Sequence, residues 1–477
     1  MSINTRKTPY YLLDLEKVRT NYLSFQKSIK SVGRNDIIAY SIKANYNPAI
    51  IELLKELGAF FEVCSDYEYD LMKNYGISAS HIIVNGCFYN DFSKYKDSIL
   101  IIDTYDQLLK WVKKGGEEKI GIRVNLDTIT FDNRFCNKKS RFGLQIQTEQ
   151  VSKLLKQINT KNIICLHCHL SGNNREPSIY RDIIIQLQKI CDDYRLNDIR
   201  YFDIGGGYKI SSKDGFWSFD DYVSEVSAVS RQNIQLIFEP GNSLVRNCAE
   251  YHTEVVAVKK IGNDNIFVVD GSSLHIPKSN FKTTEYHFEH LNKRKKYSGQ
   301  RLYGNTCKES DLLLTLNDNE MIAIGDRLII ENIGAYSLNE VNPLILGIPN
   351  VYLKMNKQII IGNHLFNFVC QYSDCYNKNG RNNYSAIKKI SETGLYAFVH
   401  NGIIIYIGVA YSRNINERVV QHFRKDSGGL RKKLSQVHIK ELEESYLYVC
   451  PLNGTKQSLL FEEALLIGLC KPKLNYL

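Results

Sequence analysis

The run Ile37-Ile-Ala-Tyr-Ser-Ile-Lys43-Ala-Asn45 places a lysine directly after an apolar segment rich in strand-forming residues. The apolar part predicts a short strand. Lysine is seldom found inside proteins, and on its own Lys43 would more often be a surface residue. The sequence around this run decides whether Lys43 is such a surface residue or a functional lysine at the end of a buried strand.

Short strand-like runs alternate with helical stretches from about residue 33 to residue 240. The eight strand candidates are Ile37–Ile42, Phe60–Cys64, His81–Asn85, Ile99–Asp103, Lys119–Val124, Asn162–His169, Arg200–Ile204 and Gln235–Glu239. Apolar residues recur at helical spacing in the segments between them, such as Asn47–Leu57 and Ser178–Tyr194. Eight such units within about 200 to 250 residues predict a (β/α)8 barrel, which we assign to residues 33–245.

Polar or glycine residues stand at the carboxyl ends of these strands. They are Lys43, Ser65, Asn85, Asp103, Arg123, His169, Gly205–Gly207 and Glu239. Active sites of such barrels lie at that end of the strands. The sequence therefore predicts that these side chains surround one site.

The rest of the chain has a different character. Residues 246–370 read as a β-rich domain, and the opening segment Pro9–Leu15, within an N-terminal strand and helix at 1–32, is expected to pair into it. A polar stretch at 371–390 predicts a linker. Residues 391–477 then form a separate small α+β unit, in which a hairpin of Gly394–His400 and Ile403–Ile407 precedes helices.

Composition narrows the class of protein. The net charge of +10 reads as widely spread, which allows a nucleic-acid partner without requiring one. Twelve cysteines scattered over 477 residues do not form a disulfide framework. We find no apolar run of membrane-spanning length and no leader-like start, so we expect a cytoplasmic protein without a membrane partner.

Four of the strand ends suit one cofactor. Desolvation and neighbouring charge at the barrel mouth are expected to lower the pKa of Lys43 enough for Schiff-base chemistry. The backbone amides of Gly205, Gly206 and Gly207 suit a phosphate. Glu239 offers a carboxylate to a pyridinium nitrogen, and the His169 imidazole can stack on a planar ring. Together they point to pyridoxal phosphate (PLP).

The chain resembles the PLP enzymes that include the diaminopimelate and ornithine decarboxylases, whose barrel is of the alanine racemase type. The resemblance covers about residues 8–370. It rests on Thr8-Pro-Tyr-Tyr, Tyr40-Ser-Ile-Lys43-Ala-Asn45, Phe61-Glu-Val-Cys-Ser65, Ser140-Arg-Phe-Gly143, His167-Cys-His169, Asp203-Ile-Gly-Gly-Gly207, Glu239-Pro-Gly241, Gly304-Asn-Thr-Cys307 and Gly334-Ala-Tyr336.

The resemblance implies a role for each motif. Lys43 would form the Schiff base with PLP, His169 would stack on the pyridine ring, and Glu239 would bind its nitrogen. Gly205–Gly207 and Tyr336 would hold the phosphate, while Lys308 and Asp311 would face the substrate. Cys307 would be the acid that protonates the carbanion left by CO2, and it would reach the site from a second subunit, which implies a homodimer.

Three positions depart from the family pattern. Asn242 stands where the family usually has an arginine that grips the phosphate, and the order Ser171-Gly172 is reversed. Lys308 stands where an acidic residue commonly holds the distal ammonium of the substrate, so a diamine-type substrate would meet a like charge.

The C-terminal unit resembles the GIY-YIG nuclease domain through Gly394-Leu-Tyr396 and Tyr406-Ile-Gly408. Further candidate residues follow in order: Arg418 and His422 on one helix face, Glu463 and Asn475. The resemblance implies that Glu463 holds Mg²⁺ or Mn²⁺, while Tyr396, Tyr406 and Arg418 handle proton transfer and charge on a DNA or RNA phosphodiester.

The leading hypothesis is therefore a PLP-dependent amino-acid decarboxylase with an appended domain that cleaves or binds nucleic acid. The rival hypothesis is an endonuclease whose PLP-binding barrel serves as a sensor or scaffold. A racemase built on the same barrel is a third alternative, which Cys307 and the motifs of the β-rich domain disfavour.

Overall fold

The computed structural model describes residues 7–87, 91–126, 140–170, 176–210, 217–262, 264–276, 285–289, 294–317, 319–354, 358–361, 364–371, 390, 392–400, 403–412, 414–423, 436–470 and 472–475. These residues divide into two compact units, Met1–Tyr352 and Leu353–Leu477. Much of the predicted linker and the reversed Ser171-Gly172 pair lie outside the described residues.

The first unit opens with strand β1 (Tyr10–Leu13) and helix α1 (Leu15–Ser31), whose first turn is capped by Asp14. Eight strands follow, and they are β2 (Ile37–Ser41), β3 (Phe60–Val63), β4 (Ile82–Val84), β5 (Ile99–Ile102), β6 (Ile120–Arg123), β7 (Ile163–His167), β8 (Tyr201–Asp203) and β9 (Gln235–Phe238). The helices between and after them are α2 (Pro48–Glu56), α3 (Asp66–Asn74), α4 (Tyr105–Lys113), α5 (Glu149–Gln157), α6 (Pro177–Tyr194), α7 (Phe219–Ser227) and α8 (Asn242–Val245).

Strands β2 to β9 close into a barrel, and each strand pairs in parallel with its neighbours. Ile37, Ile83, Ile101, Ile164 and Ile237 form one apolar cluster together with Ala39 and Cys165. The predicted barrel and all eight strands are confirmed. Each of the eight observed strands ends one or two residues earlier than predicted.

The β-rich region of the first unit contains β10 (Ala249–Ile261), β11 (Asp264–Val269), β12 (Tyr286–Glu289), β13 (Lys296–Tyr297), β14 (Gln300–Tyr303), β15 (Leu312–Leu316), β16 (Asn319–Glu320), β17 (Arg327–Ile330) and β18 (Asn350–Leu353). Its main sheet has the order β12-β17-β10-β11-β14-β15, and β1 pairs antiparallel with β10. The predicted pairing of the opening segment into this domain is thereby confirmed. Helix α1, in contrast, packs against the barrel helices α2, α7 and α8.

The second unit contains β19 (Gln358–Ile361), β20 (His364–Gln371), β21 (Gly394–His400), β22 (Ile403–Ala410), α9 (Ile415–Phe423), α10 (Gln436–Glu443), β23 (Tyr446–Pro451) and α11 (Lys456–Cys470). Its sheet has the order β19-β20-β23-β21-β22. The predicted hairpin is present, because β21 and β22 pair antiparallel from Gly394 opposite Ala410 to His400 opposite Ile403.

The predicted boundaries of this unit are wrong. We placed residues 358–370 in the β-rich domain and began the small unit at 391, yet β20 pairs with β23 from Asn367 opposite Val449 onward. Phe366 is fully buried in the same apolar cluster as Leu395 and Leu466. Strands β19 and β20 therefore belong to the C-terminal unit, which begins near residue 353.

The charge is also less evenly spread than we expected. Residues 353–477 hold 17 lysines and arginines against 9 aspartates and glutamates, whereas residues 1–352 hold 44 against 42. Most of the net charge of +10 therefore belongs to the second unit. Within the described ranges, no helix has the length and apolar character needed to cross a membrane, and the ten described cysteines are all free.

Candidate active site

Lys43 lies in a turn of 3-10 helix that directly follows β2. Its Nζ donates to both carboxylate oxygens of Glu62, at 2.8 Å to Oε1 and 2.6 Å to Oε2. The Glu62 side chain is 1% exposed and that of Lys43 is 39% exposed. A buried carboxylate thus holds the amine while the lysine side chain remains open to the barrel mouth.

This pairing reverses our expectation for the acidity of Lys43. Burial alone would lower the pKa of Lys43, but the negative charge and hydrogen bond of Glu62, with Glu239 nearby, raise it well above its usual value. In the absence of a bound cofactor the amine is therefore an ammonium ion. The sequence did not show that the glutamate two residues into the next strand would face the lysine.

Glu239 follows β9 at the centre of a buried polar cluster. Its Oε1 accepts a hydrogen bond from Asn85 Nδ2 at 3.2 Å, and its Oε2 lies 3.6 Å from His167 Nε2. Burial opposes ionisation of Glu239, but the neighbouring His167, Lys43 and His169 outweigh it and hold its pKa below the usual range. Glu239 is therefore an anion.

Two further titratable groups flank this anion. Burial lowers the pKa of His167, and the negative charge of Glu239 opposes that shift. Burial and the negative charge of Glu239 raise the pKa of Asp203 well above its usual value. Ligand atoms of His167, Asp203 and Glu239 all lie within 4.8 Å of one another. Within this cluster the pKa shifts favour Glu239, rather than Asp203, as the ionised carboxylate.

The glycine run after β8 is required by close packing. A Cβ on Gly205 would lie 2.5 Å from His169 Nδ1, and a Cβ on Gly206 would lie 2.1 Å from the carbonyl oxygen of Glu239. Gly205 and Gly207 also have φ angles of 67° and 93°, in the left-handed region. Any larger residue would push the strand ends apart at the barrel mouth.

The amides of this run are less available than we expected. Gly205 N donates to Asp203 Oδ1 at 2.9 Å and Gly206 N donates to His169 Nδ1 at 3.0 Å. Among the described residues, the amide of Gly207 has no such partner and remains available to a phosphate. The bond from Gly206 also fixes the ring orientation of His169, whose side chain is half-buried.

The loop of the β-rich domain that contains Tyr336 lies against the end of β2. Tyr336 N donates to the Ala44 carbonyl at 2.7 Å, and Asn45 Nδ2 donates to the Gly334 carbonyl at 2.8 Å. Tyr336 itself has a φ of 58°. The structure therefore brings Tyr336 to the Lys43 turn, as its predicted place in the site requires.

The Cys307 loop lies on the surface of this chain, and both Cys307 and Lys308 are exposed. Asp311 does not face solvent: it is 1% exposed, and its oxygens accept hydrogen bonds from Ser272, Ser273 and Thr306. We therefore correct the assignment of Asp311 to substrate binding, because its carboxylate is used to hold the loop.

Sequence reasoning gave no role to five residues that complete this site: Cys64, Asn85, His167, Asp203 and Asn339, whose Nδ2 donates to the Lys43 carbonyl at 3.1 Å. The first four end or directly follow a barrel strand. Position at a strand end was therefore the available signal.

In the second unit, Tyr396 and Tyr406 lie on the paired strands β21 and β22, with ring centroids 6.1 Å apart. Their hydroxyls are hydrogen-bonded to each other, and Arg418 and Glu463 are close enough to both to affect their pKa values. A Cβ on Gly408 would lie 2.4 Å from the Tyr396 ring. The two tyrosines, Arg418 and Glu463 are thus brought together.

The two remaining candidate residues of this unit are Asn475 and His422. Asn475 brackets the backbone of Ile407, accepting from its N at 2.8 Å and donating to its O at 2.7 Å. This bonding ties the end of the chain to β22, a structural role. His422 lies on α9 one turn after Arg418, but its side chain is outside the described residues.

Comparison with known proteins shows what the first unit is similar to. Residues 15–246 match the model of the pyridoxal binding domain of pyridoxal-dependent decarboxylases. The chain is 26% identical over 356 residues to diaminopimelate decarboxylase of Helicobacter pylori (strain J99), covering 70% of this chain and 86% of that protein. It is 23% identical to ornithine decarboxylase of Mus musculus, covering 75% and 83%.

A crystal structure of diaminopimelate decarboxylase from Helicobacter pylori complexed with L-lysine superposes with a TM-score of 0.62 at 22% identity. It covers 74% of this chain and 93% of that chain, and it supports the fold. The site described above fits PLP, because it combines an accessible lysine, the buried Glu239 carboxylate for a protonated ring nitrogen, a fixed imidazole and one available glycine amide.

Proposed function

We propose that this chain is a PLP-dependent amino-acid decarboxylase of the diaminopimelate decarboxylase kind. The observation that carries the proposal is the Lys43–Glu62 pair at the same barrel end as the buried cluster of Glu239, His167 and Asp203. Bound PLP would supply an electron sink for the pair of electrons released when the bond from Cα to the carboxylate breaks.

The residues of this chain would divide the remaining work. Lys43 would hold the cofactor, and Glu62 would keep the amine oriented and accept its proton. Glu239 would keep a proton on the ring nitrogen, because the pKa of its carboxyl is held below the usual range and it is an anion. His169 would lie along the ring face, and Gly207 N with Tyr336 would bind the phosphate without the arginine that Asn242 replaces.

The direct test is a visible spectrum of protein loaded with PLP, followed by CO2 release over a panel of amino acids. The expected result is an absorbance maximum at a longer wavelength than that of free PLP, together with release of CO2 from one class of amino acid. Bound PLP with no CO2 release from any amino acid would favour the rival hypothesis, a barrel that senses PLP.

Lys308 provides a prediction about the substrate. Because its ammonium is exposed on the Cys307 loop, we expect diaminopimelate or an acidic amino acid to have a higher kcat/KM than ornithine or lysine. Lys308→Glu should shift that ratio by roughly tenfold or more toward lysine, since a charge pair near the surface is worth on the order of 1 to 4 kcal/mol. Lys296→Glu, an exposed lysine on β13, is the control. A wild-type preference for ornithine would contradict the assignment.

Cys307 provides a prediction about assembly. It is exposed on its own chain, so we expect it to complete the site of a second copy. Mixing inactive Lys43→Ala protein with inactive Cys307→Ala protein should restore about a quarter of the activity, because a mixed dimer then contains one intact site. Exchange is checked by tagging one variant. Mixed dimers that form and remain inactive would mean that each site is built from one chain.

We also propose that the second unit cleaves nucleic acid with a divalent cation. The supporting observation is the convergence of Tyr396, Tyr406, Arg418 and Glu463 on the hairpin of a unit that carries most of the net positive charge of the chain. A carboxylate can hold the metal that polarises a phosphodiester, and cationic side chains supply affinity for phosphates.

A further inference from the structure

The thiol of Cys64 lies beside the amine of Lys43. Cys64 directly follows β3, and its Sγ is 3.3 Å from Lys43 Nζ. Glu62 contacts both groups through one atom, because its Oε1 is 2.8 Å from Nζ and 2.8 Å from Sγ. A nucleophilic amine, a thiol and a carboxylate that bridges them therefore form a closed triangle.

We propose that Lys43 and Cys64 become covalently joined by a sulfenamide bond when the protein is exposed to hydrogen peroxide. The thiol is first oxidised to a sulfenic acid while the O–O bond of peroxide breaks and water leaves. The Lys43 nitrogen then attacks sulfur, forming S–N as S–O breaks, and the second oxygen leaves as water. One thiol, one amine and one peroxide thus give one cross-link and two waters.

Glu62 has a defined part in this reaction. Its carboxylate accepts the proton that the Lys43 ammonium must lose before the nitrogen can attack, and it lies on the sulfur side to return a proton to the leaving oxygen. Both contacts exist before oxidation, so the two atoms need to approach by less than 2 Å, from 3.3 Å to bonding distance.

The environment makes this reaction slow at neutral pH and faster in alkali. Burial raises the pKa of the Cys64 thiol, with the negative charge of Glu62 acting in the same direction. The pKa of Lys43 is raised as well. The reactive species are the thiolate and the free amine, so the rate of cross-linking should rise with pH throughout the alkaline range.

The consequence is a switch on the cofactor lysine. A cross-linked Lys43 has no free amine, and an external thiol would restore it by attacking sulfur. This consequence rests on the proposed function, whereas the formation of the bond does not. PLP attached to Lys43 should in turn protect the pair from oxidation.

The experiment treats the full-length protein with hydrogen peroxide, with and without added PLP, and blocks free thiols before digestion without reductant. Mass spectrometry should find peptides joined through Lys43 and Cys64 whose combined mass is lower by two hydrogen atoms, and dithiothreitol should separate them. Glu62→Gln lacks the charge that raises the pKa of both Lys43 and Cys64, so its joining should begin at a lower pH than that of the wild type. Cys87→Ser, a half-buried cysteine elsewhere at the barrel mouth, should leave it unchanged.

Loss of the joined peptides in Cys64→Ser and in Lys43→Ala would support the proposal. Recovery of Cys64 only as sulfinic or sulfonic acid beside an unmodified Lys43, at every peroxide dose and pH, would overturn it. Equal joining with and without PLP would contradict the cofactor role of Lys43 and leave the cross-link standing, so the two failures are distinguishable.

Discussion

Replacing Lys43 with alanine is expected to remove the visible absorbance of the PLP-loaded protein and to lower kcat/KM for decarboxylation by on the order of 10³-fold or more. The reason is that Lys43 is the amine that Glu62 holds at the barrel mouth within range of the Glu239 charge. Absorbance spectra, borohydride reduction followed by peptide mapping, and CO2 release measure the effect.

Lys55→Ala is a matched control for this experiment, since Lys55 lies on α2 of the same barrel, donates to the backbone carbonyl of Tyr75 and pairs with Glu52. It should keep both absorbance and activity. If the Lys43→Ala protein remained reducible by borohydride at the same site, the assignment of the cofactor lysine would be wrong.

Replacing Glu463 with alanine is expected to abolish divalent-metal-dependent cleavage of nucleic acid while decarboxylation continues. Glu463 is the carboxylate that lies among Tyr396, Tyr406 and Arg418, and a metal held there would lose its protein ligand. Binding of nucleic acid should survive and should weaken steeply with salt, because it depends on lysine and arginine contacts with phosphates.

The neighbouring Glu462 provides a matched control on the same helix. Its carboxylate is paired with His364 at 2.9 Å rather than with the tyrosines, so Glu462→Ala should retain cleavage. Single-stranded, duplex and branched DNA and RNA are the substrates, with Mg²⁺ or Mn²⁺. Equal inertness of wild type and Glu463→Ala on all of them would identify the unit as a binding module.

Cleavage should also depend on pH in a defined direction. Burial raises the pKa of Glu463, although the Arg418 charge opposes that shift. Metal binding needs the ionised carboxylate, so nuclease activity should be complete at alkaline pH. As the pH is lowered, the activity should be lost at a higher pH than if the metal ligand were a glutamate with the usual pKa.

The barrel could be predicted because each strand is a local pattern. Apolar runs such as Ile99–Ile102 are flanked by polar ends, and the helices between them have their own periodicity, so eight units can be counted without knowing any contact. The positions of Lys43, His169 and Glu239 at the barrel mouth follow from that count. Their chemical roles, the homodimer and the cytoplasmic location remain predictions.

The remaining features depend on contacts between residues distant in sequence. The acidity of Lys43 is set by Glu62, and the amides of Gly205 and Gly206 are engaged by Asp203 and His169. Asp311 looks like a substrate ligand until Ser272 and Ser273 are found beside it. The strand Gln358–Ile361 was predicted correctly, but it was assigned to the wrong sheet. A local sequence pattern can predict a strand, but it does not show which other strand will pair with it.

The place of β20 in its sheet has a consequence for how the chain can be divided. Strand β23 is covered by β21 on one side and by β20 on the other. A fragment that begins at residue 391 would leave the backbone amides and carbonyls along one side of β23 unpaired. Such an open edge can pair with strands of other molecules, so we expect this fragment to aggregate when it is expressed. A fragment begun near residue 353 keeps that edge closed.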